Sequence, residues 1–252
     1  MICPKCNFEQ PYEVQECTRC GVIFAKLKLP ANSEVCREEI WESSDVKPDG
    51  TGGNFSRLRE YFVAIKPEEP PFFVAGRGIM LALMLLWGVR FIIAPISSGY
   101  AAETPLHLIH LPFHEAGHVI FGLLGIRFIT VLGGTLGQLL IPVIVIYAFV
   151  IRRNPFGGSV GLWWLGQSFM DVAIYANDAR SGQLPLLGGV TGSEVEDYHD
   201  WEVMLGKLGW LTYDHMIAQL LYACGAILMI LALTWGGILV WRQTRLLSGR
   251  TQ

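Results

Sequence analysis

Polar and apolar positions divide this chain into a polar amino-terminal part and a long apolar remainder. Five runs are apolar over most of their length: Phe72 to Ile96, Leu106 to Ile129, Val131 to Ile151, Val160 to about Asn177, and Met216 to Trp241. A transmembrane helix needs about 20 mainly apolar residues, so the pattern predicts a mostly α fold, a polytopic helical membrane bundle. The polar interruptions are informative because ionisable groups are costly in lipid. Arg77 lies near the start of the first run and can snorkel, whereas Arg90 lies deep within it and needs protein or water. Pro112 is expected at a first helical position of the second helix. Gly133-Gly134, with Gln138 and Pro142 beyond, predicts a broken or tightly packed start to the third. The fourth carries Gln167 and Asp171, and interhelical hydrogen bonding is the expected role of both glutamines. Trp241, Arg242 and Arg245 close the last run at an interface.

Charge is concentrated before the first run: residues 1–70 hold nine Lys/Arg and twelve Asp/Glu, with a boundary near Lys66-Pro67-Glu68-Glu69-Pro70-Pro71. Residues 29–54 are rich in Glu, Ser, Asp and Gly and read as a flexible linker. Residues 55–65 read as a short amphipathic surface helix with Arg57 and Arg59 at the headgroups. The expected organisation is a small domain over 1–28, a linker with the surface helix over 29–70, and the helical bundle over 71–252. The net charge of −3 leaves no basic footprint, so nucleic acid is not an expected partner. The mean hydropathy of +0.39 makes the bilayer one.

Cys3-Pro4-Lys5-Cys6 and Cys17-Thr18-Arg19-Cys20 form two knuckles. Four thiolates at this spacing suit tetrahedral structural zinc, and so short a domain lacks a core without it. Disulfides would need an oxidising compartment and a leader, which is not seen before Cys3. The amino terminus is therefore expected in the cytoplasm, with the bundle in a bacterial cytoplasmic membrane and a cytoplasmic protein as the ribbon's partner. Cys36 and Cys224 have no partner at ligand spacing and read as a free thiol and a buried small hydrophobe. If Arg152-Arg153 and the Arg242, Arg245, Arg250 tail are also cytoplasmic, four crossings satisfy the positive-inside preference. The segment around His114 is then re-entrant, and the acidic loop over 178–214 lies on the outer side.

That segment holds His114-Glu115-Ala116-Gly117-His118. Imidazoles at i and i+4 share a helix face and can grip one zinc ion, with the intervening Glu115 as general base. A catalytic zinc takes three protein ligands and keeps one position open. His199 and Asp178 rank level as third ligand, one binding and the other orienting a histidine, with Asp171 behind them. Asp171 is otherwise expected to neutralise Arg90, and Asp178 to pair with Arg180. His107 and His110 read as lining the mouth, because Pro112 is expected to interrupt the helix that would align all four histidines. Tyr175 qualifies as an oxyanion donor only if it faces the metal.

Through Phe113-His114-Glu115-Ala116-Gly117-His118, the apolar helix after it and Gly133-Gly134-Thr135, the chain resembles the site-2 protease superfamily of intramembrane zinc metallopeptidases. The resemblance covers under a quarter of the chain. It implies His114 and His118 as zinc ligands, Glu115 as general base, and membrane-associated protein segments as substrates. Members draw a further ligand from an Asp on a later helix, commonly followed by Gly; here Asp171 is followed by Val and Asp178 by Ala. The expectation is a zinc metallopeptidase with a second, structural zinc in the ribbon. The rival is a non-catalytic metal-binding scaffold or sensor. A transporter is weaker, because no internal repeat is visible.

Overall fold

A computed structural model describes residues 3, 8–9, 16–21, 61–63, 65, 69–195 and 197–249. The chain divides into two compact units, Met1–Gly52 and Gly53–Gln252. Cys6, Cys36, the linker over 29–54 and residues 55–60 of the expected surface helix lie outside the described residues. Residues 61–63 are helical.

Among the described residues, the α-helices of the second unit are α1 Pro71–Ile93, α2 Pro105–Gly122, α3 Arg127–Ile151, α4 Pro155–Asn177, α5 Asp200–Leu208 and α6 Asp214–Ser248. Among the described residues, three segments are long and apolar enough to cross a membrane: Pro71–Ile93, Arg127–Ile151 and Leu211–Ser248. Their outer faces are apolar and exposed, as at Leu86, Leu140 and Ile230, which suits lipid rather than water.

Helix α4 is different. Fifteen of its 23 residues are buried, because α3 and α6 pack on either side and α1 adds Met84 and Phe91 to a core with Trp163, Met170 and Met229. Burial by protein removes the need for an apolar surface, so this helix can carry Ser159, Gln167, Ser168 and Asp171. The α4–α6 crossing is close because Gly166 meets Gly225: a Cβ on either would lie 2.7 or 2.5 Å from the other's carbonyl oxygen. Trp163 Nε1 donates to Met84 O at 3.1 Å and ties α1 to α4.

Several boundaries depart from the sequence pattern. The second apolar run is two elements: α2 stops at Gly122 and α3 starts at Arg127. Pro105, not Pro112, holds a first-turn position, and α2 continues through Pro112. All four of its histidines therefore sit on one unbroken helix. Gly133 lies within α3, against Gly117 of α2, where an added Cβ on Gly117 would be 2.0 Å from Gly133 O; close helix approach, not a broken start, explains the glycines. Arg90 does not reach Asp171. It is exposed, with its guanidinium 4.6 Å from the Tyr100 ring centroid. Cys224 is exposed, not buried.

The ends of the long helices alternate. Glu69, just before α1, accepts from Gln243 Nε2 near the end of α6 at 3.2 Å, and Gly157 at the start of α4 abuts Phe149 near the end of α3. Arg152-Arg153 and Arg242 thus share one end of the bundle.

Candidate metal centres

The close approach of α2 and α3 builds the first site. Gly134 presents bare backbone to the histidine pair: a Cβ there would lie 2.5 Å from His118 Nε2 and 2.6 Å from His114 Nε2. The imidazoles stand edge to face, with ring centroids 4.7 Å apart. His118 Nδ1 donates to Thr130 O at 2.9 Å, which orients the ring with Nε2 toward His114.

The third member is Asp200. Its Oδ2 lies 2.9 Å from His114 Nε2 and 3.1 Å from His118 Nε2. Ligands of a tetrahedral zinc at ordinary bond lengths stand about 3.3 Å apart; the two distances to Asp200 are close to that, and all three donors lie within 4.8 Å of one another. Burial pushes the Asp200 carboxyl up, but the hydrogen bonds from both histidines outweigh it and hold it at about 2. The acceptor is therefore a carboxylate, as a metal ligand must be.

Asp200 was missed in the sequence because the signal lay in its neighbour. His199 caps α5: its Nδ1 accepts from Glu202 N at 3.3 Å, and its Nε2 is buried without a hydrogen bond, 3.7 Å from Asp178 Oδ2. Burial pulls the His199 imidazole below its ordinary value despite Asp178 and Asp200 nearby. Asp178 organises the following loop, accepting from Leu184 N at 2.8 Å, Gln183 N at 3.1 Å and Ser181 Oγ. Neither joins the histidine pair, because the cap turns His199 away and aims the next side chain inward. Asp178 does not pair with Arg180, which instead donates to Asp214 at 2.8 Å.

Glu115, half-buried, shares with His114, His118 and Asp200 a cavity of about 270 Å³. It makes no hydrogen bond or ion pair among the described residues. Leu111, Val172, Leu186 and Trp201 supply apolar walls, and Tyr175 also lines the space.

Asp171 belongs to a second cluster along the same cavity. It is 1 % exposed and accepts from His107 Nδ1 at 3.0 Å, Gln138 Nε2 at 2.7 Å and His110 Nδ1 at 3.3 Å. Trp164 Nε1 donates to His110 Nε2 at 2.8 Å. An indole N–H only donates, so His110 Nε2 is the acceptor and its Nδ1 is the nitrogen that faces Asp171. Tyr175 stacks on His107, centroids 5.8 Å apart. Gln138 thus has the interhelical role expected of it. Gln167 is fully buried, and its two amide atoms have no hydrogen-bond partner among the described residues.

In the first unit the Sγ atoms of Cys3, Cys17 and Cys20 lie within 4.8 Å of one another, close enough to hold one ion; those of Cys3 and Cys20 are 3.7 Å apart. Burial pushes the Cys17 thiol up, but hydrogen bonds from the Cys20 and Arg19 backbone and the neighbouring thiols bring it down to about 6. That favours the thiolate a metal requires.

No protein-family model matches this chain, and no curated protein or solved structure matches it.

Proposed function

We propose that the chain is a membrane-embedded zinc metallopeptidase that hydrolyses peptide bonds in membrane-associated protein segments, with a second, structural zinc held by Cys3, Cys6, Cys17 and Cys20. The observation that carries this reading is the convergence of His114, His118 and Asp200 beside Glu115 on one cavity. When bound there, zinc supplies Lewis acidity for activating water and polarising a carbonyl. Glu115 takes the proton of the attacking water at its carboxylate, the water oxygen bonds to the peptide carbon, and the proton passes to the departing amine as the C–N bond breaks. Thr130 O holds His118 in the ligating tautomer, and the apolar walls receive hydrophobic side chains of the substrate. By the positive-inside preference, the end bearing Arg152, Arg153 and Arg242 faces the cytoplasm.

A second reading, a non-catalytic metal-binding scaffold or sensor, draws on the thiol cluster lying in a unit of its own. Glu115→Gln separates the two. In purified, membrane-reconstituted protein the variant should keep both zinc ions and lose about 10²–10⁴-fold of its cleavage of a co-reconstituted membrane substrate. Unchanged turnover would reject the peptidase reading, and zinc in the ribbon alone would reject the histidine site.

A further inference from the structure

At the end of the bundle where the helix termini gather, a cleft of about 290 Å³ lies outside the metal cavity; Glu69, Arg77, Arg152, Arg153, Phe156 and Gln243 line it. Among the described residues three guanidinium groups line it, with the Glu69 carboxylate beside them. Arg77 pairs with Glu69. Arg153 lies 5.6 Å from the Tyr61 ring centroid, and Arg152 and Arg153 make no ion pair among the described residues. Both are exposed and stand in the turn between the carboxy end of α3 and the amino end of α4. Two adjacent cations at a water-exposed turn can both reach one anion.

A second observation points to the same place. Gln243 is 6 % exposed; its amide donates to Glu69, while its Oε1 is buried with no partner among the described residues. A buried carbonyl oxygen without a donor is costly, so a ligand hydroxyl that reached Gln243 Oε1 would be held there. The cleft also lies where Pro71–Ile93, Arg127–Ile151 and Leu211–Ser248 reach one end of the bundle. That is the level at which the phosphates of a surrounding bilayer would lie.

We propose that this cleft binds an anionic glycerophospholipid of the phosphatidylglycerol type, its phosphate held by Arg152 and Arg153 and a headgroup hydroxyl donating to Gln243 Oε1. A choline headgroup offers no hydroxyl, and its ammonium is repelled by the arginines. The site does not depend on the zinc chemistry, so either can fail without the other.

The test is lipid titration of the full chain in neutral detergent, read by native mass spectrometry and thermal melting. One phosphatidylglycerol should bind per chain and raise the melting temperature, and phosphatidylcholine should do neither. Arg152→Ala/Arg153→Ala should weaken phosphatidylglycerol about twenty- to thirtyfold, from roughly fivefold per arginine at a headgroup. Both side chains are exposed, so the lipid-free variant should melt as the parent does. Gln243→Met should abolish the preference for phosphatidylglycerol over phosphatidylmethanol, which is anionic but lacks the hydroxyl. Equal binding of phosphatidylcholine, or an unaffected double variant, would overturn the proposal. So would inorganic phosphate or glycerol phosphate reproducing the full stabilisation without lipid, which would make the site one for a free anion.

Discussion

Two histidine–aspartate clusters lie along one face of α2, and they differ in what they leave unfinished. Around Asp171 every strong interaction is closed: three donors converge on a carboxylate that is 1 % exposed, and the far nitrogen of His110 is taken by Trp164. Around Asp200 the side chains stay about a quarter exposed, two imidazole nitrogens crowd a single carboxylate oxygen, and Glu115 lines the same cavity with no hydrogen bond among the described residues. A saturated network rigidifies a fold. A convergent set of donors with open space beside it is what an ion and a substrate need. The same residue types thus do structural work in one cluster and offer chemistry in the other.

If this contrast holds, substitutions in the two clusters should have opposite signatures. Asp200→Ala should abolish binding of the zinc that His114→Ala/His118→Ala also removes, while leaving the melting of metal-free protein within a few degrees of the parent; metal analysis and calorimetry read both. Asp171→Ala should do the reverse, costing about 3 kcal/mol or more of stability because three buried donors lose their acceptor, with zinc still bound to the folded protein. Loss of zinc without loss of stability in that variant would exchange the assigned roles. Gly134→Ala should lower affinity for the histidine-site metal by about 10- to 100-fold, the range for disturbing what orients a ligand, since its methyl would press on both imidazoles. His199→Leu should be the mildest, about 1 kcal/mol from the lost helix cap, with metal content unchanged. A zinc-free His199→Leu protein would return His199 to the ligand set.

The apolar runs and the His-Glu-x-x-His spacing could be read locally, because burial and helical periodicity act on neighbours in the chain. The helix boundaries were less legible. Pro112 reads as a start, yet α2 runs through it from Pro105, and Gly133 reads as a break, yet it lies inside α3 against Gly117. The pairing of Arg90 with Asp171 was reasonable on charge alone. It fails because Gln138 and two histidines reach the carboxylate first, and Arg90 lies outside on α1 over Tyr100.

The sequence by itself determined that long apolar helices would form, that two imidazoles and a carboxylate would share one helical turn, and that thiols would be paired at ligand spacing. Each is a matter of residues within a few positions of one another. Only the tertiary structure decided that Asp200 and not His199 meets the His114–His118 pair, and that Asp171 is sealed away among donors. Those choices link residues 86 and 64 positions apart in the chain. At such separations, which side chains meet depends on how closely α2 and α3 approach through Gly117, Gly133 and Gly134, and on the turn that caps α5.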